Sequence, residues 1–266
     1  MDLGLGGRAV CVAGGTRAIG LATAEAFAAE GCRIAVLART DREVQATEEH
    51  LLAMGAQDAV GLQCDLLDTG EVEAAFGFID ERFGELHALV NAVGPEHAGG
   101  LDDLDDDEWI SSFDVGVLTM VRSVRAALPV MRKASFGRIV NIAAATIRNP
   151  SPQLIAWTAA KAAAMSVSNT LARQLANEGI LVNTVAPGAV MTRFVEEQVA
   201  DAENDILPEG PLEAAYAVMA KDLGLSNDIG RIGLPEEIAS VVVFLCSEQA
   251  SFLLGANIAI DGGTNF

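Results

Sequence analysis

Two short stretches carry residue types whose spacing could do chemistry. In AWTAAKAAA (156–164), Trp157 and Lys161 stand four residues apart, so a helix would set both on one face. Lysine is scarce here, limited to Lys133, Lys161 and Lys221, so one placed among alanines is conspicuous. It reads as a cofactor clamp, as a catalytic site without its acid, or as ordinary packing. In AGGTRAIG (13–20), glycines follow an apolar run and lead into a helical pattern. Glycines let backbone approach a pyrophosphate, and a helix N-terminus offers free N–H groups to it.

Such groups need elements to position them. Seven short apolar runs punctuate the chain: RAVCVA (8–13), CRIAVLA (32–38), AVGLQCD (59–65), HALVNA (87–92), GRIVNIA (137–143), ILVNTVA (180–186) and NIAIDGG (257–263). Their hydrophobicity is continuous rather than alternating, as in strands buried on both faces. Helical patterns separate them, including LATAEAFAAEG (21–31) and 41–54. The expected fold is α/β: a Rossmann-type, doubly wound parallel sheet of about seven strands in a three-layer α/β/α sandwich. One domain spans 1–266, with no internal repeat or linker. LDDLDDDEW (101–109) reads as a solvated helix start, where carboxylates favour the helix dipole. The acidic segment 195–230 breaks the alternation and is expected to be a substrate lid.

Composition narrows the function. The chain has 266 residues, is 51% hydrophobic, and carries 37 acidic against 17 basic residues, for a formal net charge of −20. Nucleic acid and anionic membrane surfaces are poor partners for such a chain. Cys11, Cys32, Cys64 and Cys246 lie in apolar runs without CxxC spacing, which reads as buried thiols in a reducing cytoplasm. No run has transmembrane length, no Cys/His spacing marks a metal site, and MDLGLGGRAV lacks the features of a signal peptide.

The motifs, in order, resemble the short-chain dehydrogenase/reductase family over nearly the full length. Gly14, Thr16, Arg17, Ile19 and Gly20 lie in the counterpart of its TGxxxGxG turn, with Ala18 replacing the middle glycine. Asp65, followed by Leu66, matches an adenine-contacting aspartate. Asn91, Ala92, Val93 and Gly94 resemble NNAG with two changes. Pro187, Gly188, Val190 and Thr192 belong to a PGxxxT beside the nicotinamide, and 231–263 is similar to the family's C-terminus. The resemblance implies a nicotinamide cofactor. Ala38 stands where NAD-preferring relatives place aspartate, and Arg39, Arg17 and Thr40 could converge on a 2′-phosphate. NADP(H) is therefore expected ahead of NAD(H).

In that family a tyrosine of YxxxK donates the proton, the lysine holds the ribose, a serine orients the carbonyl and an asparagine supports a water relay. Here Ala144 falls at the serine, Trp157 at the tyrosine, Gly116 at the asparagine, and Lys161 at the lysine. An indole N–H donates a hydrogen bond but is far too weak an acid to release a proton near neutral pH. His97, after the Asn91–Gly94 turn and next to Glu96, could act as acid or base. Thr146, Arg148 and Asn149 follow the fifth strand, where ligands gather. Tyr216, the sole tyrosine, lies in the expected lid.

Three readings follow. The first is hydride transfer to an acceptor needing no protein acid, such as an imine, an iminium or a polarised double bond. The second is a non-catalytic binding protein or silent subunit assembled with an active relative. The third is a non-redox cyclase or isomerase. The expected partner is a small-molecule substrate. The resemblance also implies a homo-oligomer, dimer or tetramer, or a hetero-oligomer, built on 106–133, 155–178 and the C-terminal segment. Trp157→Tyr with Ala144→Ser and Gly116→Asn is expected to restore some ketone reduction.

Overall fold

Each of the seven apolar runs becomes a strand. The computed structural model describes residues 2–95, 97–202 and 210–264. The order is β1 (Ala9–Ala13), α1 (Ala18–Ala29), β2 (Arg33–Ala38), α2 (Asp41–Ala53), β3 (Asp58–Gln63), α3 (Thr69–Phe83), β4 (Ala88–Asn91), α4 (Asp106–Phe113) and α5 (Thr119–Met131). Then come β5 (Gly137–Ile142), α6 (Ile155–Leu175), β6 (Ile180–Pro187), α7 (Arg193–Asp201), α8 (Pro211–Asp222), α9 (Pro235–Leu245) and β7 (Asn257–Ile260). The sheet runs β3-β2-β1-β4-β5-β6-β7, and every pairing is parallel.

Successive side chains of a strand enter opposite layers. Cys11 packs with Phe76, Ile79 and Met131 on the layer of α3 and α5. Its neighbours Val10 and Val12 pack with Phe27, Val242 and Leu245 on the layer of α1 and α9. All four cysteines are buried and free, and burial pushes the Cys32 and Cys64 thiols up to about 12. A third apolar cluster joins Val195, Ala215 and Met219 of α7 and α8 to Leu154 and Ile232.

Three boundaries differ from the sequence expectation. α1 begins at Ala18 rather than 21, because the end of the glycine-rich turn is itself the first helical turn. The acidic run enters a helix only at Asp106. Asp105 caps it by accepting from the Glu108 N–H, and the Glu108 carboxylate accepts from the Asp105 N–H. The helical stretch expected over 106–133 is interrupted by a π segment, Asp114–Leu118, that contains Gly116. Of the expected lid, 203–209 lies outside the described residues; the remainder contributes most of α7 and all of α8.

Candidate functional site

The strand order reverses between β1 and β4, so the chains leaving them diverge and open a crevice at the C-terminal edge. Gly14 turns out of β1 with φ +82°, and a β-carbon there would come 2.7 Å from Val93. A β-carbon on Gly20 would overlap the Gly14 carbonyl. These two glycines let α1 start against the strand end, with Thr16 half-buried, Arg17 exposed and Ile19 packed on the core. Ala18 sits at φ +45°, in the left-handed region where a side chain is strained. The Gly14 N–H donates to the Leu37 carbonyl at 2.8 Å, which ties the ends of β1 and β2 together. Arg39 and Thr40 leave β2 on the same edge as Arg17, and both are exposed.

Asp65 is half-buried. One of its carboxylate oxygens accepts from the Leu67 N–H at 2.9 Å, and Leu66 packs into the core. Asn91 closes β4, where its amide donates to Asn141 of β5 at 2.8 Å. Asn141 donates in turn to Ser168 of α6 at 2.8 Å. The Asn91 side chain is thus a tie between strand ends, and its other polar atom, Oδ1, is buried without a partner. Ala92 donates its N–H to the Ala13 carbonyl at 2.9 Å, holding the Asn91–Gly94 turn beside β1. Pro187 ends β6, and the Gly188 N–H bonds to Ile260 of β7 at 3.0 Å. Val190 bridges to Gly233, and Thr192 precedes α7 with its side chain making no cap bond.

Lys161 lies between these strand ends. Its ammonium donates to the Ile142 carbonyl at 2.7 Å and to the Val93 carbonyl at 3.1 Å. An ammonium has three donors, so one N–H is left over. The residue is 3% exposed, and burial lowers its pKa to about 8. A β-carbon on Gly94 would stand 3.1 Å from Lys161 Nζ and 3.9 Å from Trp157 Cζ2. The structure therefore gathers Lys161, Trp157 and the glycine turn around one spot. This is a cradle that a side chain at 94 would fill.

The other expected acid–base positions fare differently. Trp157 is half-buried and packs against Phe194 of α7, ring centroids 5.7 Å apart. Ala144 is buried and supplies no polar atom. The place for an asparagine at Gly116 is filled, since a β-carbon there would meet Ala160 at 2.9 Å and Pro95 at 3.0 Å. An asparagine at 116 would need those two side chains to shift. His97 is partly exposed, with its Nδ1 3.8 Å from Glu108 at the start of α4; Glu96 lies outside the described residues. Tyr216 donates to the Asn227 carbonyl at 3.2 Å beside the apolar cluster of α7 and α8. Thr146 is buried with an unpartnered hydroxyl, while Arg148 is exposed.

Sequence reasoning missed the partners that define these roles: Phe194 against Trp157, Pro95 and Ala160 against Gly116, and two backbone carbonyls under Lys161. All are distant in sequence or are backbone atoms, which no motif reports. Among the described residues, no His, Cys, Asp and Glu side chains gather as a metal site. No helix among them is long and apolar enough to cross a membrane.

A family model described as enoyl-(acyl carrier protein) reductase matches residues 13–265. The chain is 34% identical over 252 residues to the short-chain reductase protein NovJ of Streptomyces niveus, covering 95% of this chain and 92% of that one. It is 30% identical over 257 residues to the 3-oxoacyl-(acyl-carrier-protein) reductase FabG of Escherichia coli, covering 97% of each. The crystal structure of L-sorbose reductase from Gluconobacter frateurii, complexed with NADPH and L-sorbose, superposes with a TM-score of 0.90 at 28% identity, covering 99% of this chain and 98% of that one.

Proposed function

The chain belongs to the short-chain dehydrogenase/reductase family, and from that premise we propose an NADP(H)-dependent hydride transfer to an activated acceptor: an imine, an iminium or a polarised double bond. It is an oxidoreductase of the family's type. What carries the finer reading is one contrast. Lys161 is held in place between two strand ends, while an indole packed on Phe194 stands where a proton donor is needed.

The glycine turn and the unused N–H of Lys161 fit a dinucleotide, and the L-sorbose reductase complex contains NADPH. When bound, the nicotinamide supplies hydride. The chain's own residues do the rest. Gly14, Thr16, Arg17, Ile19 and Gly20 cradle the phosphates; Arg17, Arg39 and Thr40 take the 2′-phosphate; Asp65 and Leu66 flank the adenine. Lys161 holds the ribose oxygens. Asn91, Ala92, Gly94, Pro187, Gly188, Val190 and Thr192 wall the nicotinamide. Trp157 shields the acceptor from water, and any proton comes from water or through His97. An acceptor that already carries its positive charge needs none at the reacting atom. Residues 195–230 act as the lid.

Calorimetry is expected to give tighter binding of NADPH than of NADH; equal or tighter NADH binding would contradict the assignment. 4-Deuterated NADPH offered with ketones, imines and enones is expected to label imine or enone products.

A second reading has its own support. The Trp157–Phe194 contact fastens α7 over the site, as suits a silent subunit that keeps cofactor and assembly surfaces. Ile110, Phe113 and Leu118 are exposed on the 106–133 face, which supports assembly through that face. Co-purification of a relative with an intact YxxxK from native extract would favour this reading.

A further inference from the structure

A cleft of about 290 Å³ lies between α3 and α5 and shares no residue with the crevice described above. On α3 it is lined by a helical stripe that includes Val72, Glu73, Phe76 and Gly77, and on α5 by one that includes Arg122, Arg125, Pro129 and Val130. The floor is apolar, and the charge is uneven. Asp80, at one end, is already paired with Lys133 at 2.6 Å. Glu73 is the other acid in the lining, with Arg122 and Arg125 as the two cations, and no ion pair joins either arginine to an acid among the described residues.

One polar group at this cleft lacks a partner. Arg122 Nη1 is buried with nothing to accept its hydrogens. Buried polar atoms are almost always bonded, so an orphaned one needs an explanation. At Gly77 the cleft is open, since a β-carbon there would meet nothing within 4 Å. The volume suits one ring with its head group, at the small end for ligand sites.

We propose that this cleft binds a small organic anion, a carboxylate or phosphate monoester on an apolar ring or short chain. Arg122 and Arg125 hold the oxyanion, a task their guanidinium forks suit. Val72, Phe76 and Val130 hold the apolar stem.

The test uses NADPH-saturated protein, so that phosphate sites in the crevice are filled. Phenyl phosphate and benzoate are titrated by calorimetry, with benzyl alcohol as the uncharged comparison. At least one anion is expected to bind saturably and more tightly than benzyl alcohol, and the tighter of the two names the head group. Arg122→Gln is expected to weaken that binding about tenfold. Gly77→Leu is expected to abolish it by filling the cleft, while melting no lower than the parent, since leucine is the better helix former. No saturable binding by either anion, or binding unchanged in both variants, overturns the proposal. So does loss of oligomer mass in Arg122→Gln, which would mean that a second copy of the chain covers the cleft.

Discussion

Lys161 pairs a buried charge with only two carbonyl acceptors, and that choice has a pH signature. Its folded pKa of about 8 lies below the ordinary 10.5 because burial penalises the ammonium. Below pH 8 both folded and unfolded chains hold the proton, so the full penalty is present. Between about 8 and 10.5 the unfolded chain keeps a proton that the folded chain has released, and stability rises with pH. The rise amounts to about 3 kcal/mol. Lys161→Met removes it, so the difference in urea-unfolding free energy between the two proteins should drift by about that amount across this window. A flat difference would mean that the lysine is not desolvated. Ala18, at φ +45°, carries strain that glycine would not. Ala18→Gly is expected to raise stability by about 1 kcal/mol and to tighten NADPH binding, read by thermal melting and calorimetry. Gly116→Asn is expected to lower stability by about 1–3 kcal/mol, because Pro95 and Ala160 already fill that space.

At the scale of elements, Trp157 makes a packing contact. The indole joins α6 to α7 through Phe194, beside the cluster of Val195, Ala215 and Met219. Phe194→Ala should therefore loosen α7 without disturbing the sheet. Amide exchange is expected to speed up across 193–201 and to stay unchanged in β1, β4 and β5. Uniform acceleration everywhere would show that the ring serves the global fold instead. The strands were legible because burial on both faces leaves continuous apolar runs. Their ends were less so, since apolar residues such as Ala92 and Ala143 extend past the paired ladder. That Trp157 and Lys161 share one helix was legible because their four-residue spacing falls within a single run, α6. Pro95 against Gly116 and Phe194 against Trp157 were not, because each contact joins separate segments that only the folded chain brings together.

At the scale of the molecule, a net charge of −20 coexists with an apolar face on α4 and the π segment, where Ile110 and Leu118 are 60% and 39% exposed. Such a face calls for a partner surface. Sedimentation is expected to give a dimer or tetramer, and Ile110→Asp to shift it toward monomer. We propose that this family fold keeps its cofactor and has given up ordinary carbonyl reduction. The most direct measurement is single-turnover mass spectrometry with 4-deuterated NADPH, offering a cyclic iminium and its ketone counterpart of matched shape to the wild-type protein. Deuterium is expected in the amine product and none in the alcohol. Labelled alcohol formed at a rate equal to or above that of the amine would contradict it.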